Sequence, residues 1–296
     1  MVKQTARALG WTAAAALIVA CGDPGATPAT GQSSGVGAAD GGGDDEPTPS
    51  GSAGGASPDG GSGSSDANAP VPPHEDLGEG DGKDVVSLGD SYMRLPNLIQ
   101  QPGSEGVDLS LAKIGGRPYR TYAYRGAVLF PETPVAVKNG VIPGQLATAK
   151  QEDADIKTVI VAAGGNDLAK SSPCLGAKTV AELSAPCKQE LDAIVPAIDA
   201  FVADLAKAGV KDVIWVGYGP TTTTGDKIVE GAIEYLRADR KAKCVANNPA
   251  LGLRCHYVDN VAAKIPTRDG FHPTAQGYDS IAQAVLDRMK AVGARR

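Results

Sequence analysis

Three short clusters in this 296-residue chain hold side chains that could do chemistry together. Gly89-Asp90-Ser91-Tyr92 carries a serine behind a glycine turn. Gly164-Gly165-Asn166-Asp167 carries an amide side chain behind a second such turn. Asp269-Gly270-Phe271-His272-Pro273 sets a carboxylate three residues ahead of an imidazole. A serine hydroxyl is a poor nucleophile until a base removes its proton. Of the three His in the chain, His272 is the one placed to be that base. With 269–272 in a tight turn, Asp269 can accept the imidazole Nδ1–H, aim Nε2 at Ser91 and stabilise the imidazolium as it forms. Each cluster has a blander reading. Gly-Asp-Ser commonly caps a helix, Asn166 suits a turn, and Asp269 could cap a helix beside an exposed His272. The conjunction is what points to chemistry.

The elements that must position these clusters are legible in the apolar pattern. Short apolar runs at 84–88, 157–163 and 210–216 each end in glycine and read as buried strands. Weaker candidates lie at 121–124 and 255–258. Continuous rather than alternating apolar runs suit a parallel sheet covered on both faces. Leu191, Ile194, Val195, Ile198, Phe201, Val202 and Leu205 recur at the helical period. Pro196 inside that stripe predicts a kink or a late start. Tyr278, Ile281, Ala282, Val285 and Met289 form a second stripe, with Pro273 expected in its first turn. Strands alternating with helices predict a three-layer α/β/α fold with a doubly wound, mainly parallel sheet of flavodoxin-like type. Active sites in such sheets gather at the carboxyl ends of the strands. That directs attention to 89–92, 126 and 164–167.

Taken in order, the three clusters resemble the blocks of the SGNH (GDSL-type) hydrolase superfamily. The resemblance spans essentially all of 84–293. It implies a serine esterase that cleaves carboxylic esters through an acyl-enzyme without a cofactor. Ser91, Asp269 and His272 would form the triad. The oxyanion donors it implies are the Ser91 amide, the Asn166 side chain and a glycine amide after the second strand. Gly126 is the glycine expected there. Some 16 residues separate it from Pro143-Gly144-Gln145-Leu146, so Gly140 and Gly144 are rivals. The same resemblance leaves room for an acyltransferase acting on glycans, and an inactive surface-binding lipoprotein is a further alternative. Around the clusters, Asp90 reads as a turn residue, Asp167 as a cap on the turn after Asn166, and His256 as structural. Thr221–Thr224 reads as a loop or the wall of a groove. Only 4% of residues are aromatic, which offers no evident stacking platform for sugars.

The first 83 residues read differently. Lys3 and Arg7 precede a short apolar run ending Leu17-Ile18-Val19-Ala20-Cys21, too short to span a bilayer. This reads as a signal peptide over 1–20, and its end looks like a bacterial lipobox, which makes Cys21 the lipidated first mature residue. The expected location is the bacterial cell envelope, at the outer membrane or cell surface, attached through Cys21. Residues 22–83 hold 17 of the 38 Gly and 8 of the 21 Pro, with no Phe, Trp or Tyr. Such a segment cannot offset its chain entropy by burial, so 21–83 is expected to be a disordered acidic linker and 84–296 the esterase-type domain. Gly31-Gln32-Ser33-Ser34-Gly35 matches a nucleophile-elbow pattern but follows no strand. Gly78–Lys83 lacks the spacing of a phosphate loop.

The linker carries a net charge of −10 and residues 84–296 one of +2. A near-neutral folded part argues against nucleic acid as a partner and leaves a small-molecule, glycan or lipid ester as the expected substrate. Apart from Cys21 there are four cysteines, Cys174, Cys187, Cys244 and Cys255. An even number in an exported chain suggests disulfides, and the local pairing is Cys174–Cys187 with Cys244–Cys255. No C-x-x-C pair is present, and no metal site is expected.

Overall fold

A computed structural model describes residues 76–95, 105–130, 140–169, 171–221, 229–246, 249–261 and 263–296. The signal-peptide, Cys21 and Gly31–Gly35 readings, and Thr222–Thr224, lie outside these residues.

The principal strands are β1 (Val85–Gly89), β5 (Thr158–Ala162), β6 (Asp212–Val216) and β7 (Arg254–Val258). Two residues of β4 (Arg120–Thr121) complete the sheet, while β2 (Arg94–Leu95) and β3 (Glu105–Gly106) form a small separate hairpin-like pair. Every residue of β1, β5 and β6 is buried. That is why their sequences run apolar without alternation: helices cover both faces. The sheet is parallel throughout, in the order β4-β1-β5-β6-β7. This is the flavodoxin-like winding, in which the chain reverses direction between β1 and β5.

Among the described residues six α-helices surround it: α1 (Val107–Gly115), α2 (Ile142–Glu152), the short α3 (Gly165–Ala169), α4 (Ala185–Lys207), α5 (Glu230–Ala246) and α6 (Ala275–Ala291). Right-handed crossovers in this order put α1 and α6 on one face and α2, α4 and α5 on the other. Accordingly α1 packs on α6, and α4 on α5. The expected stripes are the buried faces. Leu191, Ile194, Ile198, Phe201, Val202 and Leu205 are buried on α4, and Tyr278, Ile281, Ala282, Val285 and Met289 on α6.

Three local expectations need correction. Pro196 does not delay α4, which starts at Ala185, where Ser184 Oγ accepts the Cys187 amide as its cap. Pro273 lies outside α6: the cap is Thr274, whose hydroxyl accepts the Gly277 amide. Finally, residues 76–83, placed in the linker by composition, are bound to the chain end. Leu77 N–H donates to Gly293 O at 3.0 Å and Gly80 N–H to Arg296 O at 2.7 Å. Asp84 accepts from Arg295 at 2.6 Å. Within this strap Asp76 and Asp81 each accept an amide two residues on, which makes Gly78–Lys83 a pair of Asx turns.

The disulfides are Cys174–Cys187 and Cys244–Cys255. The first ties the turn after α3 to the first turn of α4. The second ties the last turn of α5 to β7.

Candidate active site

Ser91 follows β1 and Asn166 follows β5, so the two stand on either side of the point where the winding reverses. Ligands of open α/β sheets bind in the crevice at that point. Gly89 ends β1 with φ +126°, and a Cβ there would meet the Ala162 carbonyl oxygen at 2.4 Å. Only glycine can let the chain turn so close to the neighbouring strand.

Ser91 Oγ lies 3.0 Å from His272 Nε2. Asp269 Oδ2 lies 2.5 Å from His272 Nδ1. The other carboxylate oxygen, Oδ1, accepts the amides of His272 at 2.7 Å and Phe271 at 3.0 Å. The carboxylate acceptor sets the tautomer: Nδ1 carries the hydrogen, and Nε2 is left to accept the serine proton. Burial pushes the Asp269 carboxyl up, but the hydrogen bonds from His272 and Phe271 outweigh it and hold the group below its ordinary range. It stays an anion wherever the imidazole is needed as a base. Ser91 is buried, and its carbonyl is held by the Tyr278 hydroxyl of α6 at 2.9 Å.

The Asn166 side chain donates to the Ala127 carbonyl at 3.0 Å, using one of its two amide hydrogens. Asp167 also works beyond its own turn. It reaches across to accept the amides of Leu129, at 3.0 Å, and Phe130. The loop after β5 therefore grips the loop after β4 at two places. Between them and the sheet sits Gly126, with φ +78°, in a turn closed by Ala127 N–H to Tyr124 O. Among the described residues neither the Ser91 amide nor the Gly126 amide has a hydrogen-bond acceptor. Of the rivals, Gly140 gives its carbonyl to the Val128 amide. Gly144 lies in the first turn of α2, where amides have no partner within the helix.

Sequence reasoning passed over three supporting residues. Gln145 is wholly buried, and its side chain brackets the Gly89 peptide: Oε1 accepts Gly89 N–H at 2.7 Å and Nε2 donates to Gly89 O at 2.8 Å. The available signal was a polar residue in the apolar stripe Ile142, Gln145, Leu146, Ala149. In the sequence Tyr278 is one member of a helix stripe. Tyr218 follows the β6 glycine and carried no motif. Three aromatic rings also gather here. Tyr92, Tyr218 and Phe271 form a triangle with ring centroids 5.0–5.8 Å apart, and Phe271 sets its ring edge-on to His272 at 5.3 Å.

Asp90 does stabilise the turn, through the Tyr92 amide at 2.8 Å, and it also accepts the Tyr218 hydroxyl at 2.7 Å. Burial pushes its carboxyl up to about 6, against both hydrogen bonds. His256 lies away from the site, in β7, where Nε2 meets the buried Asp212 at 3.0 Å beside Arg254, a structural setting. The Thr221 amide donates to Glu230 at 2.6 Å.

No family model matches the chain, and no curated protein matches it either. Solved structures that it resembles include a carbohydrate acetylesterase from Sinorhizobium meliloti, at 15% identity and a TM-score of 0.47, covering 70% of this chain and 98% of the other. An aryl esterase from M. smegmatis gives 15% identity and a TM-score of 0.47, with the same coverages. A GDSL-like lipase from Bacteroides thetaiotaomicron gives 17% identity and a TM-score of 0.44, covering 70% of this chain and 88% of the other.

Proposed function

We propose that this chain is a serine esterase acting on carboxylic esters through an acyl-enzyme. The observation that carries the reading is the unbroken run of contacts from Ser91 Oγ to His272 Nε2 and from His272 Nδ1 to Asp269. Nothing in folding requires a buried serine to meet an imidazole brought from 181 residues away.

In this reading His272 Nε2 takes the Ser91 proton as Oγ attacks the ester carbonyl carbon. The carbonyl oxygen becomes an oxyanion, received by the Ser91 amide and the second hydrogen of the Asn166 amide. The third donor is the Gly126 amide, in the loop gripped by Asn166 and Asp167, with Gly144 at the first turn of α2 as its rival. The tetrahedral intermediate collapses, and the leaving alkoxide takes the proton from His272. Water then repeats the sequence on the acyl-enzyme and releases the acid. Phe271 stands beside His272, so its ring flanks the departing alcohol.

We further propose that the domain is carried on a lipoprotein, with Cys21 as its acylated mature N-terminus and residues 22–75 as the tether. The basic start, the short apolar run and the small residue before Cys21 support this. Mass spectrometry of the native N-terminus tests it: a product cleaved elsewhere and carrying no lipid overturns it.

For the esterase reading, the test is an acyl-length series of chromogenic esters, run beside Ser91→Ala with product analysis. Ester turnover by the wild type that Ser91→Ala abolishes supports it. Turnover unchanged by Ser91→Ala refutes it.

A further inference from the structure

One buried carboxylate next to the nucleophile has no part in that reaction. Asp90 is 1% exposed. Its Oδ2 accepts the Tyr218 hydroxyl at 2.7 Å, and that hydroxyl in turn accepts the Gly165 amide at 3.0 Å. The three residues stand past the carboxyl ends of three neighbouring strands: Asp90 after β1, Gly165 after β5 and Tyr218 after β6. The contacts have only one consistent polarity. An amide can only donate, so the phenol oxygen is the acceptor toward Gly165. The single phenolic hydrogen is then left for Asp90, which accepts it, most strongly as a carboxylate. Packing holds the tyrosine in place. Its ring is edge-on to Tyr92 and stacked on Phe271. A Cβ on residue 165 would come within 2.8 Å of it, so glycine is required there. A second brace runs the other way: the Tyr92 hydroxyl, from the serine loop, accepts the Gly219 amide beside Tyr218 at 2.8 Å.

We propose that Asp90 and Tyr218 are positioning residues, which lock the serine loop to the Asn166 loop through an ordered Gly165–Tyr218–Asp90 hydrogen-bond chain. The proposal rests on the esterase reading, and it deepens that reading by naming what keeps nucleophile and oxyanion donor in register. The groups facing Asp90 are the phenols of Tyr92, Tyr218 and Tyr278, the His272 imidazole and the Asp167 carboxylate. Burial raises the Asp90 carboxyl to about 6 against its hydrogen bonds. The chain therefore ends on a charged acceptor above that pH and on a weaker, neutral one below it.

Tyr218→Phe keeps the ring and removes only the hydroxyl. In a variant with native circular dichroism, kcat should fall about 10- to 100-fold, the scale on which misplacing reacting groups acts. KM should hold within about twofold, because the ground-state contacts are untouched. The acid limb of the rate profile should move to higher pH, because ionised Asp90 loses a donor. Asp90→Asn cannot titrate, and its acid limb should become less steep. Unchanged kcat and an unmoved limb in Tyr218→Phe overturn the proposal, as does an unchanged slope in Asp90→Asn. Exchange of the Gly165 amide, read by NMR, needs no catalysis. It should be slow in the wild type and speed up at least about tenfold in Tyr218→Phe as its acceptor is lost. Equal exchange in the two proteins refutes the bridge whatever the activity. Protection lost in the variant, in a protein without ester turnover, refutes the esterase reading and leaves the bridge standing.

Discussion

The side-chain amide of Asn166 donates to the main-chain carbonyl of Ala127 at 3.0 Å, joining the loop after β5 to the loop after β4. One amide hydrogen thus serves the scaffold, and in the proposed reaction the other receives the oxyanion. Asn166→Ala removes both. Loss of an oxyanion donor typically costs about 10²–10³ in kcat, and loosening of the Gly126 turn should put this variant at the upper end. The cost should fall on kcat rather than KM, because the bond strengthens in the transition state. Steady-state kinetics on an activated acetate ester checks this. A kcat within about twofold of wild type would make Asn166 a turn residue only. Combined with Ser91→Ala, the loss should be far from additive.

Asp269→Asn should be more damaging than its small change in shape suggests. An amide nitrogen facing Nδ1 favours the wrong imidazole tautomer, an effect worth about 10⁴ in kcat in the well-studied serine triad. The stability effect has a definite sign. The folded-state Asp269 carboxyl lies below its ordinary range, so its contribution is present above the unfolded-state value and is lost as pH falls through the folded-state one. Acid titration of the melting temperature should show wild type and variant converging at the low-pH end.

For Asp90 the sign is opposite. Its carboxyl is pushed from 3.8 up to about 6 by burial. The folded state therefore holds the proton more tightly than the unfolded one, and stability is lost as pH rises from about 4 to 6. The displacement corresponds to about 3 kcal/mol. Asp90→Asn should gain relative to wild type by that order between pH 4 and pH 7, measured by urea unfolding at each pH. A difference that does not change with pH would place the carboxylate in a better-solvated setting.

Gln145→Leu keeps the volume but abandons the Gly89 peptide. The amide of Gly89 then loses its acceptor inside the core, while its carbonyl retains the Tyr124 amide at 3.0 Å. One orphaned buried donor costs about 1–3 kcal/mol. Denaturant midpoints should show that loss, and kcat should drop with it, because Ser91 lies two residues beyond the released peptide.

Reduction should destabilise the fold at two separate places. The disulfides close loops with sequence separations of 13 and 11. The chain-entropy estimate for loops of this size is roughly 3 kcal/mol each. Non-reducing peptide mapping should recover both pairs and no free thiol among the four. Melting curves of Cys244→Ser and Cys174→Ser should then fall separately. Cys174→Ser should also lower turnover, since its turn directly follows the helix that starts at Gly165.

The winding of the sheet was legible because it depends on local, repetitive signals. Continuous apolar runs at 84–88, 157–163 and 210–216 can be buried on both faces only by a sheet between helices. The glycines that end them mark where the chain must turn, and Ser91 and Asn166 stood out because each follows such a glycine, whereas Asp269 and His272 stood out by their three-residue spacing just ahead of the last helix stripe. Boundaries were less legible. Composition assigned 76–83 to a linker, yet these residues are held by backbone hydrogen bonds to the last four residues, partners that no local pattern announces. The same holds for what braces the site. Gln145 and Tyr278 act through hydrogen bonds to residues 56 and 187 positions away, and Tyr218 through bonds to residues 53 and 128 positions away. In the sequence each is one polar group beside an apolar pattern. Only the packing of strand ends and helices against one another decides which buried donor meets which acceptor, because an unpaired group there is costly and the chain has to bring a partner from wherever it lies.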